Sequence, residues 1–232
     1  MKRILSSLVL SFFYLTTLAQ QTEFSFGAYR TLMHFSGSGS AGTTSVSSTP
    51  FNRLANPYGT KNGSSFGFFI QVQVINKHNF IAGLQAGTDQ LRSKIQVTRY
   101  TTSASWDTYY ANGIVNQDNQ YINANPYVGY RFTFGKMSLD ALVGAEAGFQ
   151  LVSNIEGFVK NENGQQYKVE YRFDNLKTDI RAKAGFAVHY DRISLNASYA
   201  HGFTDHGDGT SVAGPRGAYT NVFRFGVGFK VF

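Results

Sequence analysis

The segment from Asn221 to Phe232 alternates strictly between large apolar side chains and glycines or charges. One phase holds Phe223, Phe225, Val227, Phe229 and Val231, and the other holds Arg224, Gly226, Gly228 and Lys230. A period of two with one apolar phase is typical of a strand that faces lipid on one side and a packed polar interior on the other. We therefore expect this segment to cross a membrane as a β-strand. We also expect Phe229 and Phe232 to form the C-terminal signal for barrel assembly, although Phe232 is out of phase with Phe229.

Residues 1–19 show the order of features that marks a signal peptide. Lys2 and Arg3 precede the apolar stretch Ile4 to Leu18, and Ala19 supplies a small residue at the expected cleavage site. An uncleaved anchor is the alternative, but a membrane-spanning helix needs about 20 apolar residues. The chain has no cysteine, which excludes disulfides and a lipid-modified N-terminal cysteine. We expect a cleaved signal peptide over residues 1–19 and one outer-membrane barrel domain over residues 20–232.

The composition favours strands over helices. Aromatic residues make up 16% of the chain, charged residues only 15%, and there are 24 glycines. After the signal peptide no apolar run approaches the ~18 residues of a membrane helix, whereas a membrane strand needs only ~9–11 alternating residues. The formal charge of +7 falls to +5 when Lys2 and Arg3 are removed (7 − 2). The remaining cations form no block, so we expect no nucleic-acid partner.

Eight alternating segments follow one another along the chain. Three short turns, around Asn76 to His78, Gly135-Lys136 and Asp191-Arg192, separate four long connections. The pattern predicts an all-β fold, a transmembrane up-and-down antiparallel β-barrel of eight strands with its long loops outside the cell and its short turns in the periplasm. Ten strands is the alternative. The predicted loops include residues 36–64 and the residues between Leu91 and Tyr121.

An extended extracellular hairpin is predicted across Asn163-Gly164, a strong hairpin signal. The expected register places Val159 opposite Val169 and Ile155 opposite Phe173. The apolar phase then changes, which predicts a bulge near Asn175.

Pro126 interrupts another predicted strand. Proline cannot donate to a strand ladder, so we expect a bulge or a weak edge at this position.

Charged side chains fall on the inward phase of the predicted strands. The inward set is Arg131, Asp140, Glu146, Asp179, Arg181, Lys183 and Arg224. Arg131 and Asp140 lie opposite each other across the Gly135-Lys136 turn, and Glu146 and Arg181 stand at similar heights on adjacent strands. An eight-stranded barrel is just wide enough for its side chains to fill it, so we expect a structural plug of ion pairs. A gate made of movable ion pairs is the alternative.

Catalytic and metal patterns are weak. Ser198, His201 and Asp205 form a conceivable hydrolytic group, but Ser198 and His201 should point to opposite faces of one strand. Asp205, His206 and Asp208 form a candidate cation site, although such a segment is more often a solvated turn. We therefore predict no catalytic residues, no cofactor and no metal site. Aromatic residues near both membrane borders are expected to anchor the barrel: Phe132, Phe134, Tyr190, Phe229, Phe149 and Tyr199.

The chain resembles the small outer-membrane β-barrel family of Bacteroidetes, often labelled PorT-like. The resemblance rests on the Leu-Ala-Gln end of the signal peptide, the barrel pattern, the segment Tyr199 to Asp205, and the closing segment Arg224 to Phe232. It implies a location in the bacterial outer membrane. A role in protein secretion belongs to one named relative, and fold alone does not transfer it.

These features predict a non-enzymatic structural or interaction protein that acts through its extracellular loops. A small diffusion pore and a lipid-modifying enzyme are the alternatives. The expected partners are outer-membrane lipid and lipopolysaccharide, the barrel-assembly machinery during insertion, and an envelope or secretion protein. Loop cations that could contact lipid phosphates, or simply be solvated, are Arg92, Lys94, Arg99, Lys168 and Arg172.

Overall fold

The computed structural model describes residues 21–47, 53–101, 108–173, 177–207 and 214–231. The predicted signal peptide, the predicted bulge at Asn175, Asp208 of the candidate cation site, and Phe232 of the predicted assembly signal lie outside these residues. All regular structure within them is β. In that part of the chain no helix is long and apolar enough to span a membrane.

Eleven strands form one hydrogen-bonded sheet. They are β1 (Gln21–Ser36), β2 (Thr43–Ser47), β3 (Arg53–Leu54), β4 (Lys61–Ile75), β5 (Phe80–Thr101), β6 (Thr108–Phe134), β7 (Met137–Asn161), β8 (Gln166–Arg172), β9 (Thr178–Tyr190), β10 (Ile193–Gly202) and β11 (Tyr219–Lys230).

Eight of these strands close into a barrel. The order around the ring is β5-β4-β1-β11-β10-β9-β7-β6, and β6 pairs again with β5. Every pair in the ring is antiparallel. The predicted eight-stranded up-and-down barrel is therefore confirmed. The other three strands are additions outside the ring, with β2 parallel to β5, β3 beside β2, and β8 beside β7.

The short turns all lie at one end of the barrel. Gly135 and Asp191 adopt positive φ angles of 61° and 53°, as tight hairpin turns require. At the third turn, Asn76 Oδ1 accepts hydrogen bonds from the amides of His78 at 2.9 Å and Phe80 at 3.0 Å.

Large apolar side chains are exposed on the outer face of every strand of the ring. The aromatic residues predicted to lie at the membrane borders all point outward and are exposed: Phe132, Phe134, Phe149, Tyr190, Tyr199 and Phe229. The barrel thus carries a lipid-compatible surface, which a soluble protein would have to cover.

Beyond the barrel, the sheet continues as an extension built from the upper parts of β5, β6 and β7 together with β2, β3 and β8. The pairing of β5 with β6 runs as far as Thr101 and Thr108, so the predicted loop between Leu91 and Tyr121 is wrong: most of it is strand. The predicted loop over residues 36–64 is likewise too long, since it holds β2, β3 and the start of β4. The extension encloses its own buried core: Val46, Leu54, Ile95, Val97, Tyr100, Ala111, Val115, Ile155, Val159 and Val169.

A bulge in β7 changes the face on which its odd-numbered apolar residues lie, from the outer face of the barrel to the buried face of the extension. Gln120 pairs with Val152 but Tyr121 pairs with Gln150, which leaves Leu151 as the extra residue. Odd-numbered residues below it, such as Phe149, face outward, whereas Ile155 above it is fully buried. One added residue reverses the two faces of a strand because side chains alternate with a period of two.

The predicted register of the extracellular hairpin is wrong by two residues. Val159 pairs with Tyr167 and Ile155 with Tyr171, while Val169 lies opposite Gly157. The difference arises at the turn, where Gly164 has a φ of 77° and Asn161 N donates to Gln165 O at 3.0 Å. A shift of two keeps the predicted faces, so the apolar side chains still meet.

Pro126 does not produce the predicted bulge. The register is the same on both sides of it, with Ala124 opposite Ala147 and Tyr127 opposite Gly144. The ladder loses its pairs at Asn125 and Pro126, as expected of a residue that cannot donate. Asn125 Nδ2 donates to Ala145 O at 2.9 Å, so a side chain supplies the donor that residue 126 lacks. β6 is also not an edge strand, because both of its sides are paired.

Candidate functional site

The interior near the short turns holds an ion-pair group centred on Arg131, here called the lower group. Arg131 lies opposite Asp140, as predicted, and its Nε donates to Asp140 Oδ1 at 2.6 Å. Both of its terminal nitrogens donate to Glu23, each at 2.9 Å. His189 Nε2 lies 2.9 Å from Asp140 Oδ2, and Lys230 Nζ lies 3.2 Å from Glu23 Oε1. One guanidinium thus serves two carboxylates on opposite sides of the barrel.

The second group, here called the upper group, is centred on Glu146. Arg181 Nη1 donates to Glu146 Oε1 at 2.8 Å and Arg224 Nη2 donates to the same oxygen at 2.7 Å. Lys183 Nζ lies 3.4 Å from the other oxygen. Arg181 also donates to Asp179 at 2.8 Å. Glu146 and Arg181 are direct partners in the ladder, which agrees with their predicted similar height.

Asp89 of β5 completes the upper group. Arg224 Nη2 donates to its Oδ2 at 2.5 Å, and Asn123 Nδ2 donates to the same atom at 2.7 Å. The group therefore contains three carboxylates and three cations, with no net charge. Arg181 and Asp179 are fully buried. Each charged side chain of the group has an oppositely charged neighbour, as expected because a buried charge without a partner costs several kcal/mol.

Between the two groups the interior is nearly filled. A cavity of about 60 Å³, bordered by Tyr29, Tyr127, Lys183 and Arg224, has room for a few water molecules. Below the lower group, an open recess of about 320 Å³ reaches Glu23, Arg131 and His189 from the short-turn end.

An apolar cap covers the upper group from the long-loop end. Tyr58 donates its hydroxyl hydrogen to His206 O at 2.5 Å, and the rings of Phe35 and Tyr58 meet edge to face with centroids 4.9 Å apart. The buried members of this cap are Met33, Phe35, Tyr58, Leu91, Tyr121, Ala200, Ala218 and Val222. The apolar cap therefore lies at the long-loop end, and the open recess lies at the short-turn end.

Sequence reasoning placed seven charged residues in the interior and missed others that pair with them. Glu23 and Asp89 are 1% and 2% exposed, and each contacts an arginine that the prediction included. Glu23 lies between the outward residues Thr22 and Phe24, and Asp89 falls in the same inward phase as Gln85. The phase of the alternation was therefore a sufficient signal for both. His189 carried the same signal, since it precedes the outward-facing Tyr190.

The candidate hydrolytic group is not assembled. Ser198 faces the interior opposite Arg224, whereas His201 faces outward, with its Nδ1 2.8 Å from Asn221 Oδ1. Asp205 accepts hydrogen bonds from the amides of Gly207, Gly217 and Ala218 at 2.8 to 3.0 Å. Burial raises the pKa of Asp205, but these three amides outweigh burial and hold its pKa below the ordinary value. Asp205 therefore ties two loop segments together.

Metal-binding residues do not cluster in the part of the chain that the structure describes: no group of three or more His, Asp or Glu side chains is placed to hold an ion.

No family model matches this chain, and no curated protein does either. Among solved structures it is similar to Ail, the attachment invasion locus protein of Yersinia pestis, with 15% identity, a TM-score of 0.37, and coverage of 90% of this chain and 97% of Ail. It is similar to Neisserial surface protein A, with 13% identity, a TM-score of 0.38, and coverage of 90% and 99%. Both are outer-membrane barrels of eight strands. A third is the translocator domain of the autotransporter NalP from Neisseria meningitidis, with 12% identity, a TM-score of 0.23, and coverage of 98% and 97%. No function follows from likenesses at this level.

Proposed function

We propose that the chain is an integral outer-membrane protein with a structural or interaction role, that its lumen is closed by ion pairs, and that its extension binds a partner outside the cell. The observation that carries the proposal is the extension itself. Its strands continue from the barrel wall without a break, and it has a buried core of its own. A wall that only anchors a barrel has no need of this second core.

The interior favours a closed lumen over a diffusion pore. Arg181, Arg224 and Glu146 are each no more than 2% exposed, and the apolar cap lies above them. A solute that crossed from one end to the other would have to separate these ion pairs and the cap. Separating a buried ion pair costs about 3–5 kcal/mol, which favours a static plug at rest.

The extension favours an interaction role. Between Leu91 and Thr101, β5 rises about 34 Å along the strand at ~3.4 Å per residue. The outer face of the extension carries amide, charged and exposed apolar side chains. Among the apolar ones, Ile114 of β6 and Phe158 of β7 are directly opposite each other and are 50% and 55% exposed. This pair lies above the lipid-facing wall, so the hydrocarbon of the bilayer does not cover it.

The proposed partners follow from the same placement. Lipid and lipopolysaccharide surround the wall, and a protein of the envelope or of a secretion machine binds the extension. Before insertion, the signal peptide directs secretion, and the barrel-assembly machinery recognises the closing strand with Phe229 and Phe232. No catalytic step and no cofactor are part of the proposal.

Single-channel recording with refolded full-length protein tests the closed lumen. We expect no steady conductance from the native protein. As a positive control, Arg181→Ala combined with Arg224→Ala removes two side chains that fill the interior, and we expect openings from this variant. Steady current through the native barrel would instead favour the diffusion pore.

Cross-linking in intact cells tests the interaction role. A tag placed after Gln20 allows recovery from the periplasmic side without altering the extension. We expect one protein to be recovered in stoichiometric amount, and we expect Phe158→Glu to reduce that recovery while Phe132→Tyr, on the lower wall, leaves it unchanged. Altered lipid on expression that disappears with His201→Ala would support an enzyme instead.

A further inference from the structure

A cation points outward near the upper border of the lipid-facing wall. Arg30 of β1 lies between Phe66 of β4 and Phe225 of β11, its direct neighbours across the strands. On the same outward phase Leu32 follows it, and the polar His34 comes next. A charged side chain on the lipid face destabilises a barrel unless water or a counterion compensates.

The protein gives Arg30 a neutral partner and no acid within the described ranges. Its Nε donates to Ser64 Oγ at 2.7 Å. No carboxylate oxygen of the described residues lies within 4.0 Å of the Arg30 guanidinium, the limit for an ion pair. Ser64 pairs with Leu32, one outward position above Arg30. The side chain therefore extends towards the water border, as long cationic side chains do at membrane interfaces.

An apolar groove of about 470 Å³ begins at Arg30 on the outer wall. Ala28 forms its floor, and Phe66, Phe225 and Val227 form its sides with 58%, 55% and 54% of their surfaces exposed. The methyl side chain of Ala28 creates the depression because its neighbours are all large. A groove that opens to lipid and is lined by such residues can hold an acyl chain.

Two more cations lie higher on the same side of the barrel. Lys61 of β4 and Lys94 of β5 are directly opposite each other, and Lys61 Nζ has Gln96 Oε1 at 3.4 Å. Like charges in opposed positions are destabilising, and no described acid forms an ion pair with either lysine. An anion bound between them would offset the repulsion.

We propose that this surface is a binding site for a lipid of the outer leaflet that carries two phosphates, the chemical class of lipid A. One acyl chain occupies the groove over Ala28, one phosphate binds Arg30, and the second binds Lys61 and Lys94. The guanidinium fork of arginine matches the geometry of phosphate. The inference rests on the proposed function, because this end of the wall meets the outer leaflet only if the long loops face outward.

The test is native mass spectrometry of the full-length barrel in detergent, titrated with bisphosphorylated lipid A. We expect Arg30→Gln to weaken binding about tenfold, equivalent to about 1.4 kcal/mol, and Ala28→Phe to weaken it similarly by filling the groove. Ala184→Phe is the matched control, since it fills an outer groove whose lining has no charged residue. Arg192→Gln removes an exposed cation at the short-turn end. Both controls should bind lipid A as the native protein does.

The outcomes separate the possible ligands. The site is supported if the native protein binds monophosphorylated lipid A more weakly than bisphosphorylated lipid A, and if the Lys94→Gln variant binds both lipids equally well. It is refuted if Arg30→Gln binds within twofold of the native protein, if phosphatidylglycerol binds equally well, or if inorganic phosphate competes fully and Ala28→Phe has no effect.

The inference and the proposed function can fail separately. A native barrel that is exposed at the cell surface and does not conduct, yet loses no lipid A affinity in the Arg30→Gln variant, refutes the lipid site alone. A barrel that is absent from the outer membrane of cells, but binds lipid A through Arg30 in detergent, refutes the proposed function alone.

Discussion

Glu146 is the carboxylate on which we expect the upper group to depend. It accepts hydrogen bonds from Arg181 at 2.8 Å and Arg224 at 2.7 Å, and Lys183 lies 3.4 Å away. The substitution Glu146→Gln keeps the shape of the side chain and removes its charge. In this variant Arg181 remains paired with Asp179, and Arg224 remains paired with Asp89. Among the described side chains, Lys183 is left with only a neutral partner, Gln85.

The expected cost follows from the loss of charge pairing in a buried site. Two hydrogen bonds between charged groups become bonds to a neutral amide, and bonds to charged groups contribute about 1.5–3 kcal/mol each. Removal of one partner from a buried ion pair costs about 3–5 kcal/mol. We expect a fall of about 3–5 kcal/mol in the free energy of unfolding. The adjacent cavity borders Lys183 and Arg224 and has room for water, which favours the lower end of that range because a water molecule there can hydrogen-bond to the unpaired cations.

The measurement is urea unfolding in lipid vesicles, followed by the gel-mobility difference between folded and unfolded barrel. Glu170→Gln is the matched control, because Glu170 pairs with Lys168 on the exposed hairpin, where the two side chains are 61% and 59% exposed. Exposed pairs contribute less than about 1 kcal/mol. The reasoning is refuted if Glu146→Gln costs no more than this control.

A second substitution tests whether charge balance is the cause. Without Glu146 the upper group has three cations and two carboxylates, so the additional change Lys183→Met restores neutrality. We expect the double variant to be more stable than Glu146→Gln alone. A double variant that is less stable would show that packing, and not charge, dominates here.

Three further predictions concern the ladder, the loops and the hairpin. Asn125→Ala should lower the free energy of unfolding by about 1–3 kcal/mol, because it leaves the carbonyl of Ala145 without a donor. The additional change Pro126→Ala restores a backbone amide and should recover part of that loss. No recovery in the same urea assay would contradict this explanation. The folded-state pKa of Asp205 is lowered, so its hydrogen bonds stabilise the loop at a pH above the ordinary aspartate pKa and are lost as the pH falls through the lower folded pKa. Proteolysis of that loop should therefore increase in acid for the native protein but not for Asp205→Asn. Gly164→Ala should cost about 1–2 kcal/mol of hairpin stability because its φ is positive, seen as faster amide exchange in β8, whereas Gly164→Asn should change exchange much less.

The alternation of the sequence was enough to predict the barrel and the orientation of most of its side chains. Period-two patterning fixes which residues face outward, and tight turns such as Gly135-Lys136 fix the register of their hairpins. The opposition of Arg131 and Asp140 followed from that turn alone. Glu23 and Asp89 were available from the same pattern, but their partners lie on distant strands, and local spacing does not reveal which strands meet across a closed ring.

The extension was harder to predict for physical reasons. Residues 92–101 and 108–120 are rich in polar and amide side chains, a composition typical of loops, yet they form the upper parts of β5 and β6 and pair with each other. The bulge at Leu151 leaves no mark in the sequence, because the apolar phase continues unchanged on both sides of it. Only pairing with β6 shows that its faces have exchanged.

The continuity of β5, β6 and β7 from the barrel into the extension has a mechanical consequence. Binding residues often lie on loops, and a flexible loop loses conformational freedom when a partner binds. In the proposed binding surface, Ile114 and Phe158 are held at a fixed height and orientation by the same hydrogen-bonded strands that form the barrel wall. A force applied to the tip of the extension is therefore transmitted along these hydrogen-bonded strands to the ion-paired interior.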